Sequence, residues 1–419
     1  MSVEPDETTE DARHLQDVKI LSLSTEFPNP SEPGKGLFVH ARLRAIAARA
    51  SLTVVAPVAL LDYANPRNEL LASLWIPTYR RENGIDILHP RWFYPPHGGW
   101  VNAFFLFARL LWPVARLRAR NGYDAIDAHY AHPEGIAAVL VGRVLRMPVL
   151  VTLRGSELRY RRHKYLRYWM TWALRRADRV IAVSEGLRQL AVDLGVDPRR
   201  TSVIPNGIDA DVFYPRDRLI SRDKHGIPAR DRVILCAGDL AELKGHHKVI
   251  RALKTLLDAP VPLRLLIVGG VGRSGRYAAA LHQEVADCGM QDHVRFVGEV
   301  AQDALAEFMS AADVFCLASS SEGWPNVVNE ALACGTPVVA TDVGAVRQMI
   351  PSARYGSIVP VDDAEALANA LRLAIMGEWD RPAISVWGRS RSWDDVATDV
   401  LEQLRALMGE RQHVERADT

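Results

Sequence analysis

Residues 322–330 read Glu-Gly-Trp-Pro-Asn-Val-Val-Asn-Glu, two carboxylates bracketing a turn that opens a helix. In the same half of the chain, Lys244 ends a second loop, Gly238-Asp239-Leu240-Ala241-Glu242-Leu243-Lys244-Gly245. Carboxylates accept hydrogen bonds from hydroxyls, an ammonium serves as a point charge for phosphate, and the free N–H groups of a helix start attract the same anion. The spacing of the glutamates excludes one chemistry. If residues 322–330 were all helical, rise alone would part the two by about 12 Å, whereas the carboxyls of a retaining glycosidase dyad stand about 5–5.5 Å apart. Separate roles follow, one near a reacting centre and one holding a remote part of the ligand. Taken alone, the segment is equally an ordinary helix start whose acids suit the dipole, and Lys244 is equally a solvated surface lysine. That all three stand at the ends of nearby strands in the same domain favours the site.

The first half holds a different set. Gly34-Lys35-Gly36 precedes an amphipathic helix and leaves room for backbone to approach a ligand. Ala128-His129-Tyr130-Ala131-His132-Pro133-Glu134-Gly135 and Thr152-Leu153-Arg154-Gly155-Ser156-Glu157 each follow an apolar run. They predict a polar cluster at adjacent strand ends, against the plainer alternative of structural histidines. From Arg154 to Arg179 there are nine Lys/Arg and two acids, with Tyr160, Tyr165, Tyr168, Trp169 and Trp172 interleaved. Such a stretch suits a peripheral membrane contact through 159–176, arginines on headgroups and aromatics at the interface. A solvated basic helix with an aromatic core face is the alternative, and no motif for nucleic acid accompanies it. Trp100 to Leu117 is expected mostly in the core, with a second lipid contact as its other use. Two patterns are discounted. Gly270-Val271-Gly272-Arg273-Ser274-Gly275 matches a dinucleotide fingerprint, but a strand and helix precede it in its domain. Asp209-Ala210-Asp211 lies in turn chemistry, where capping explains it better than a metal.

The elements that must position these residues form an α/β chain of two doubly wound Rossmann-like domains facing a cleft, because short apolar runs alternate with helical stretches throughout. Strands are expected at Val18–Leu23, Leu52–Ala56, Ile85–Leu88, Ala125–Ala128, Val149–Leu153, Val180–Val183 and Ser202–Ile204, then at Val233–Ala237, Leu263–Val268, Val294–Val297, Val314–Leu317 and Pro337–Ala340. The turn Pro205-Asn206-Gly207-Ile208-Asp209 divides the domains. Expected divisions are a disordered acidic start at 1–17, domains at 18–205 and 206–385, and a C-terminal helix in 386–419 packing back on the first domain. Ligands of such sheets bind at the strand C-terminal ends. The net charge of +1 hides an asymmetry, since residues 1–200 carry 28 Lys+Arg against 20 Asp+Glu. A basic half suits an anionic surface or substrate. The first residues lack the basic and apolar regions of a signal peptide, no apolar run reaches 18 residues, and the four cysteines form no paired motif. A cytoplasmic protein with reduced thiols and no metal is expected.

Four motifs in this order resemble the family 4 retaining glycosyltransferases of GT-B fold over nearly the whole chain after about residue 18. Glu322-x7-Glu330 is similar to the family's paired glutamates, Gly238-x5-Lys244-Gly245 to its phosphate loop, Pro205 to Asp209 to its interdomain turn, and Ala333-Cys334-Gly335-Thr336-Pro337-Val338-Val339 to its strand-entry run. The resemblance implies a nucleotide-diphosphate sugar, UDP or GDP type, as co-substrate with no further cofactor, and an acceptor that is a glycan or lipid-linked. It implies Lys244 on the diphosphate, Glu330 on the ribose hydroxyls, and Glu322 with Gly323, Trp324, Pro325 and Asn326 on the donor sugar and phosphates. Val297 and Gly298 would lie near the base, and Gly34, Gly36, Gly238, Asp239 and Gly269 complete the expected donor contacts. His132 and Arg154 are the expected catalytic side chains of the first domain. Two positions depart from the family pattern. Asp239 stands where an arginine is common, so one phosphate clamp is either missing or supplied elsewhere, with Arg273 and Arg154 as candidates, and Arg154 stands where a histidine is common. The Arg154-Gly155-Ser156-Glu157 run resembles envelope and exopolysaccharide transferases that work at the inner face of the cell membrane. A silent transferase-like binding subunit and a sugar-nucleotide epimerase are the competing expectations.

Overall fold

The computed structural model describes residues 18–61, 72–95, 98–257, 261–271 and 275–417, with side chains as far as 410. The expected acidic tail at 1–17 and Arg273 therefore lie outside the described residues. The chain forms two compact units, one of 1–207 with 393–419 and the other of 208–392.

The first unit is built on an eight-stranded sheet of order β10-β9-β8-β7-β1-β2-β5-β4. Its strands are β1 (Lys19–Leu23), β2 (Ser51–Val55), β4 (Tyr79–Glu82), β5 (Ile85–Leu88), β7 (Ala125–His129), β8 (Val149–Leu153), β9 (Arg179–Ala182) and β10 (Thr201–Val203), while β3 (Val58–Ala59) and β6 (Arg91–Trp92) pair separately. Helices α1 (Leu37–Ala47), α2 (Asn102–Asn121), α3 (Ile136–Leu145), α4 (Lys164–Leu174) and α5 (Glu185–Asp193) connect them. All five residues of β7 and of β8 are buried, as expected of parallel strands covered on both faces. β4 is the exception that apolar patterning misses. It is a polar edge strand, antiparallel to β5, joined through Asn83 and Gly84 at φ 49° and 81°, the residues a tight hairpin turn demands.

The second unit carries a six-stranded parallel sheet, β13-β12-β11-β14-β15-β16. The strands are β11 (Arg232–Ala237), β12 (Leu263–Val268), β13 (Val294–Gly298), β14 (Val314–Leu317), β15 (Val338–Thr341) and β16 (Gly356–Val359). Its helices are α6 (Arg218–Lys224), α7 (His246–Leu256), α8 (Arg276–Asp287), α9 (Gln302–Ala311), α10 (Asn326–Ala333), α11 (Ala364–Met376) and α12 (Arg381–Gly388). The last helix, α13 (Trp393–Ala417), belongs to the first unit. Val396, Val400, Leu401 and Leu404 recur at helical spacing and pack with Val39, Leu43 and Ile46 of α1 in one core cluster. The terminal segment expected as one helix from 386 is thus divided: α12 stays in the second unit and α13 begins at Trp393.

Candidate active site

Strand order explains how Lys244 and Glu322 meet. β11 and β14 are neighbours, in register at Ile234↔Val314 and Leu235↔Phe315, so the loops leaving their C-terminal ends lie side by side. The Ser320 N–H donates to the Leu243 carbonyl at 2.9 Å. Gly245, at φ 70°, lies so close to Ala318 that a Cβ would sit 2.1 Å from that carbonyl oxygen. Only glycine permits both the left-handed backbone and the approach. The side chain of Lys244 runs along Gly238, whose missing Cβ would stand 3.5 Å from its Cε. Its Nζ then donates to Glu322 Oε1 at 2.8 Å, and Ser319 Oγ donates to the same oxygen at 2.8 Å. Thr341 Oγ1, donating to the Ser319 carbonyl at 2.6 Å, pins that loop from β15. Gly344, at φ 54°, packs so tightly that its Cβ would fall 2.6 Å from the Glu322 carbonyl oxygen.

Glu330 has the opposite environment. It sits in α10 facing a half-buried space, and among the described residues no side chain or N–H bonds its carboxyl. Burial pushes its pKa up to about 7, so near neutrality it exchanges a proton. Between the two glutamates, Pro325 is the N-cap of α10 with no side-chain cap bond, and the Val328 N–H donates to the Pro325 carbonyl at 2.9 Å. The Trp324 indole packs against the core, with Nε1 buried and without a partner. Asn326 opens the helix and Gly323 is buried.

The other expected donor residues line the neighbouring strand ends. Gly269 has φ 154°, and a Cβ there would fall 2.0 Å from the Gly238 carbonyl oxygen. Its N–H donates to the Gly298 carbonyl at 2.9 Å, tying the ends of β11, β12 and β13 together beside Val297. Asp239 and Glu299 both stand near Gly270, 3.9 and 3.5 Å from where its Cβ would be. Asp209 Oδ1 accepts from the Asp211 N–H at 3.2 Å, the turn role expected of that pair.

In the first unit the polar cluster is real but largely closed. Arg42 of α1, 2% exposed, reaches Asp127 at 3.1 Å, and its Nη1 donates to Thr152 Oγ1 at 2.9 Å. Burial alone would raise Asp127, yet Arg42 and His129 hold its carboxyl below the usual carboxylate range. Arg154 donates to His129 Nδ1 through Nε at 3.2 Å and Nη2 at 2.9 Å, and through Nη1 to Asn206 Oδ1 at 3.2 Å. His129 is kept neutral, its pKa pushed down to about 4 mainly by burial. Glu157 caps this turn by accepting from the N–H groups of Arg154, Gly155 and Ala131. At 8% exposure, Arg154 spends its guanidinium on the protein itself. The close approach at Gly36 is likewise to the chain's own Glu26 carbonyl, 2.3 Å from where a Cβ would stand, and Gly34 is exposed.

His132 differs from His129. Its Nε2 bonds the Gly99 carbonyl at 3.1 Å, which requires the proton on Nε2. Nδ1 keeps a lone pair that is buried and unpartnered, and burial lowers the pKa to about 4. Glu134, two residues on, belongs to the same expected cluster. It is 1% exposed, its Oε1 accepts from the Thr25 N–H at 3.0 Å and from the Thr25 hydroxyl, and Oε2 has no partner. Burial pushes its pKa up to about 7.

The comparisons with known proteins agree with this architecture. Residues 217–386 match the family described as Glycosyl transferases group 1, and residues 74–212 match Glycosyltransferase Family 4. TuaC of Bacillus subtilis, described as a teichuronic acid biosynthesis glycosyltransferase, is 30% identical over 369 residues, covering 84% of this chain and 88% of TuaC. D-inositol 3-phosphate glycosyltransferase 2 of Catenulispora acidiphila is 36% identical over 248 residues, covering 55% of this chain and only 58% of that protein. Among solved structures, Anabaena Alr3699/HepE in complex with UDP and glucose superposes with a TM-score of 0.71 at 22% identity, covering 93% of this chain and 99% of that one. Sucrose-phosphate synthase from Thermosynechococcus elongatus gives a TM-score of 0.68, also at 22% identity, covering 96% and 98%. These structural likenesses show the fold.

Proposed function

This chain belongs to the family 4 glycosyltransferases with the GT-B fold, and from that premise we propose that it transfers a sugar, with retention and without a metal ion, from a nucleotide-diphosphate sugar to a hydroxyl of a glycan or lipid-linked acceptor. The observation that carries the proposal is the Lys244–Glu322 pair at 2.8 Å, followed on α10 by a carboxyl, Glu330, that has no partner among the described residues. A diphosphate arriving beside the N-terminus of α10 takes over the Lys244 ammonium and frees Glu322 to accept from a hydroxyl of the donor sugar. The ribose hydroxyls donate to Glu330. As the bond from the anomeric carbon to the diphosphate oxygen breaks, charge grows on the leaving oxygens, where Lys244 and the helix N–H groups oppose it. The acceptor oxygen bonds to the same face of the anomeric carbon, and its proton passes to the departing diphosphate. No protein nucleophile is needed. In the first unit, the free lone pair of His132 Nδ1 suits a hydroxyl of the acceptor, whereas Arg154 holds His129 and Asn206 in place.

Support for the donor class comes from HepE, which shares the fold and binds UDP and glucose. Support for an envelope-polymer acceptor comes from TuaC and its teichuronic acid role. No described helix is long and apolar enough to cross a membrane, and the proposal places the enzyme at the inner face of the cell membrane with a peripheral contact through 159–176. A thermal-shift screen over nucleotide diphosphates and their sugars identifies the donor, a ligand at 100 times its Kd adding about 2.7 kcal/mol. With that donor, Lys244→Ala lowers kcat by about 10²–10³. Unchanged turnover in Lys244→Ala removes the mechanism.

A further inference from the structure

The exposed aromatic side chains of the first unit are not scattered. On α2 the exposed positions before the terminal Asn121 are Phe105, Ala108, Arg109, Trp112, Arg116, Ala119 and Arg120, a spacing that places them on one face of a helix. Leu106, Leu110 and Val114 turn inward. Trp112 is 75% exposed and Phe105 37%. Phe93 meets Phe105 edge-on at 5.1 Å and is itself 50% exposed. Arg109 Nε donates to the Arg91 carbonyl at 2.7 Å, and Arg91 Nη2 donates to the Ser73 carbonyl at 3.0 Å. These bonds tie the short turn carrying Leu74 and Trp75 to the same side of the unit. Trp75 is 85% exposed. Isolated exposed hydrophobics need no explanation, but several exposed rings, two of them open indoles, on elements bonded to one another do.

We propose that this face, formed by α2, Phe93 and the Leu74–Trp75 turn, docks the enzyme on an anionic lipid bilayer, with α2 lying in the interface plane. The charge pattern selects that occupant over a protein. α2 carries Arg109, Arg116, Arg118 and Arg120 and not one Asp or Glu. Arginines flanking exposed indoles are the composition of an interfacial helix, and α2 at 20 residues extends about 30 Å along the surface. The neighbouring helix α4 continues the band. Trp169 stacks on Trp100 at 6.1 Å and meets Phe104 at 4.8 Å, so these rings cement α4 to the start of α2. That leaves Tyr165 and Tyr168, 61% and 62% exposed, with Lys164 and Arg167 to face outward. The 159–176 stretch is therefore the flank of the docking surface and α2 its centre. The proposal extends the membrane part of the function above, and its readout needs no sugar donor, so either can fail while the other stands.

The test uses the full chain and sedimentation with vesicles of phosphatidylcholine alone or with about 30% phosphatidylglycerol. The wild type binds the anionic vesicles, weakens as salt rises, and leaves the neutral ones in solution. Trp112→Ser and Trp75→Ser each lower the partition constant about tenfold or more, and Arg116→Ala lowers it about fivefold. All three keep the donor-induced thermal shift, since none touches the donor unit. Absence of anionic-vesicle binding at low salt, or binding unchanged in the double tryptophan variant, overturns the proposal. So does concentration-dependent self-association that Trp112→Ser abolishes while vesicles remain unbound, because a second copy of the chain would then be the occupant.

Discussion

Glu330→Gln isolates the electrostatics of the donor site. The carboxyl has a folded pKa raised from 4.5 to about 7 by burial, with no opposing cation. A carboxyl raised in the folded state favours folding only while protonated. Its penalty is absent below pH 4.5, grows through the interval, and is complete above 7. At about 1.4 kcal/mol per pH unit, that interval amounts to roughly 3 kcal/mol of stability lost by the ligand-free protein. Glutamine has the same shape and no proton to lose. Its advantage over the wild type should be small at pH 5 and about 2–3 kcal/mol at pH 8, equivalent to roughly 5–10 °C in the Tm of a unit of this size. Thermal unfolding of both proteins at pH 5, 6, 7 and 8 without donor measures it. Adding the donor must reverse the order at pH 8, because ribose hydroxyls donate to a carboxylate better than to an amide oxygen. Parallel stability curves for the two proteins across this range would refute the assignment of Glu330 as a desolvated, unpaired acid.

Other substitutions separate structural from catalytic roles. Gly245→Ala places a Cβ against the Ala318 carbonyl at a left-handed φ, so it should cost about 2 kcal/mol or more and reduce turnover by displacing Lys244; an unchanged urea midpoint would contradict that. Arg154→Ala strips partners from the buried His129 and Asn206 and should destabilise the first unit by about 2–5 kcal/mol, with the donor-induced thermal shift retained. A normal Tm with lost turnover would instead make Arg154 a catalytic group.

Much of the site was legible because its constraints are local. The Lys244 loop is bounded by Gly238 and Gly245, both at positive φ, and at Gly245 a Cβ would fall against the Ala318 carbonyl. The start of α10 follows from the proline and the apolar spacing after it. Strands buried on both faces announce themselves as apolar runs, and β5, β8, β12 and β14 match their expected limits. What the sequence hid is set by partners distant along the chain. Arg154 finds Asn206 52 positions away, and Glu134 finds Thr25 at a separation of 109. No local pattern reveals such meetings. A strand-end arginine therefore looked available to substrate when it is enclosed, and the bond between Glu134 and Thr25 had no local signal. Gly344 was equally silent, since its neighbour Glu322 belongs to a different loop.

The two glutamates of α10 and its leading loop meet opposite fates in one small volume, and the contrast explains how an empty site can be stable and still bind a highly charged donor. Glu322 is neutralised by an ammonium, Glu330 by a proton whenever the pH lies below about 7. The resting site thus carries little net charge. In the proposed reaction a diphosphate displaces Glu322 from Lys244, and diol hydroxyls stabilise the charge that Glu330 acquires when its proton leaves. Both exchanges replace one compensated charge by another, which is less costly in a desolvated site than creating either alone. Donor affinity should accordingly depend on pH through Glu330, and the dependence on the diphosphate through Lys244. A nucleoside without phosphates would retain the first and lose the second.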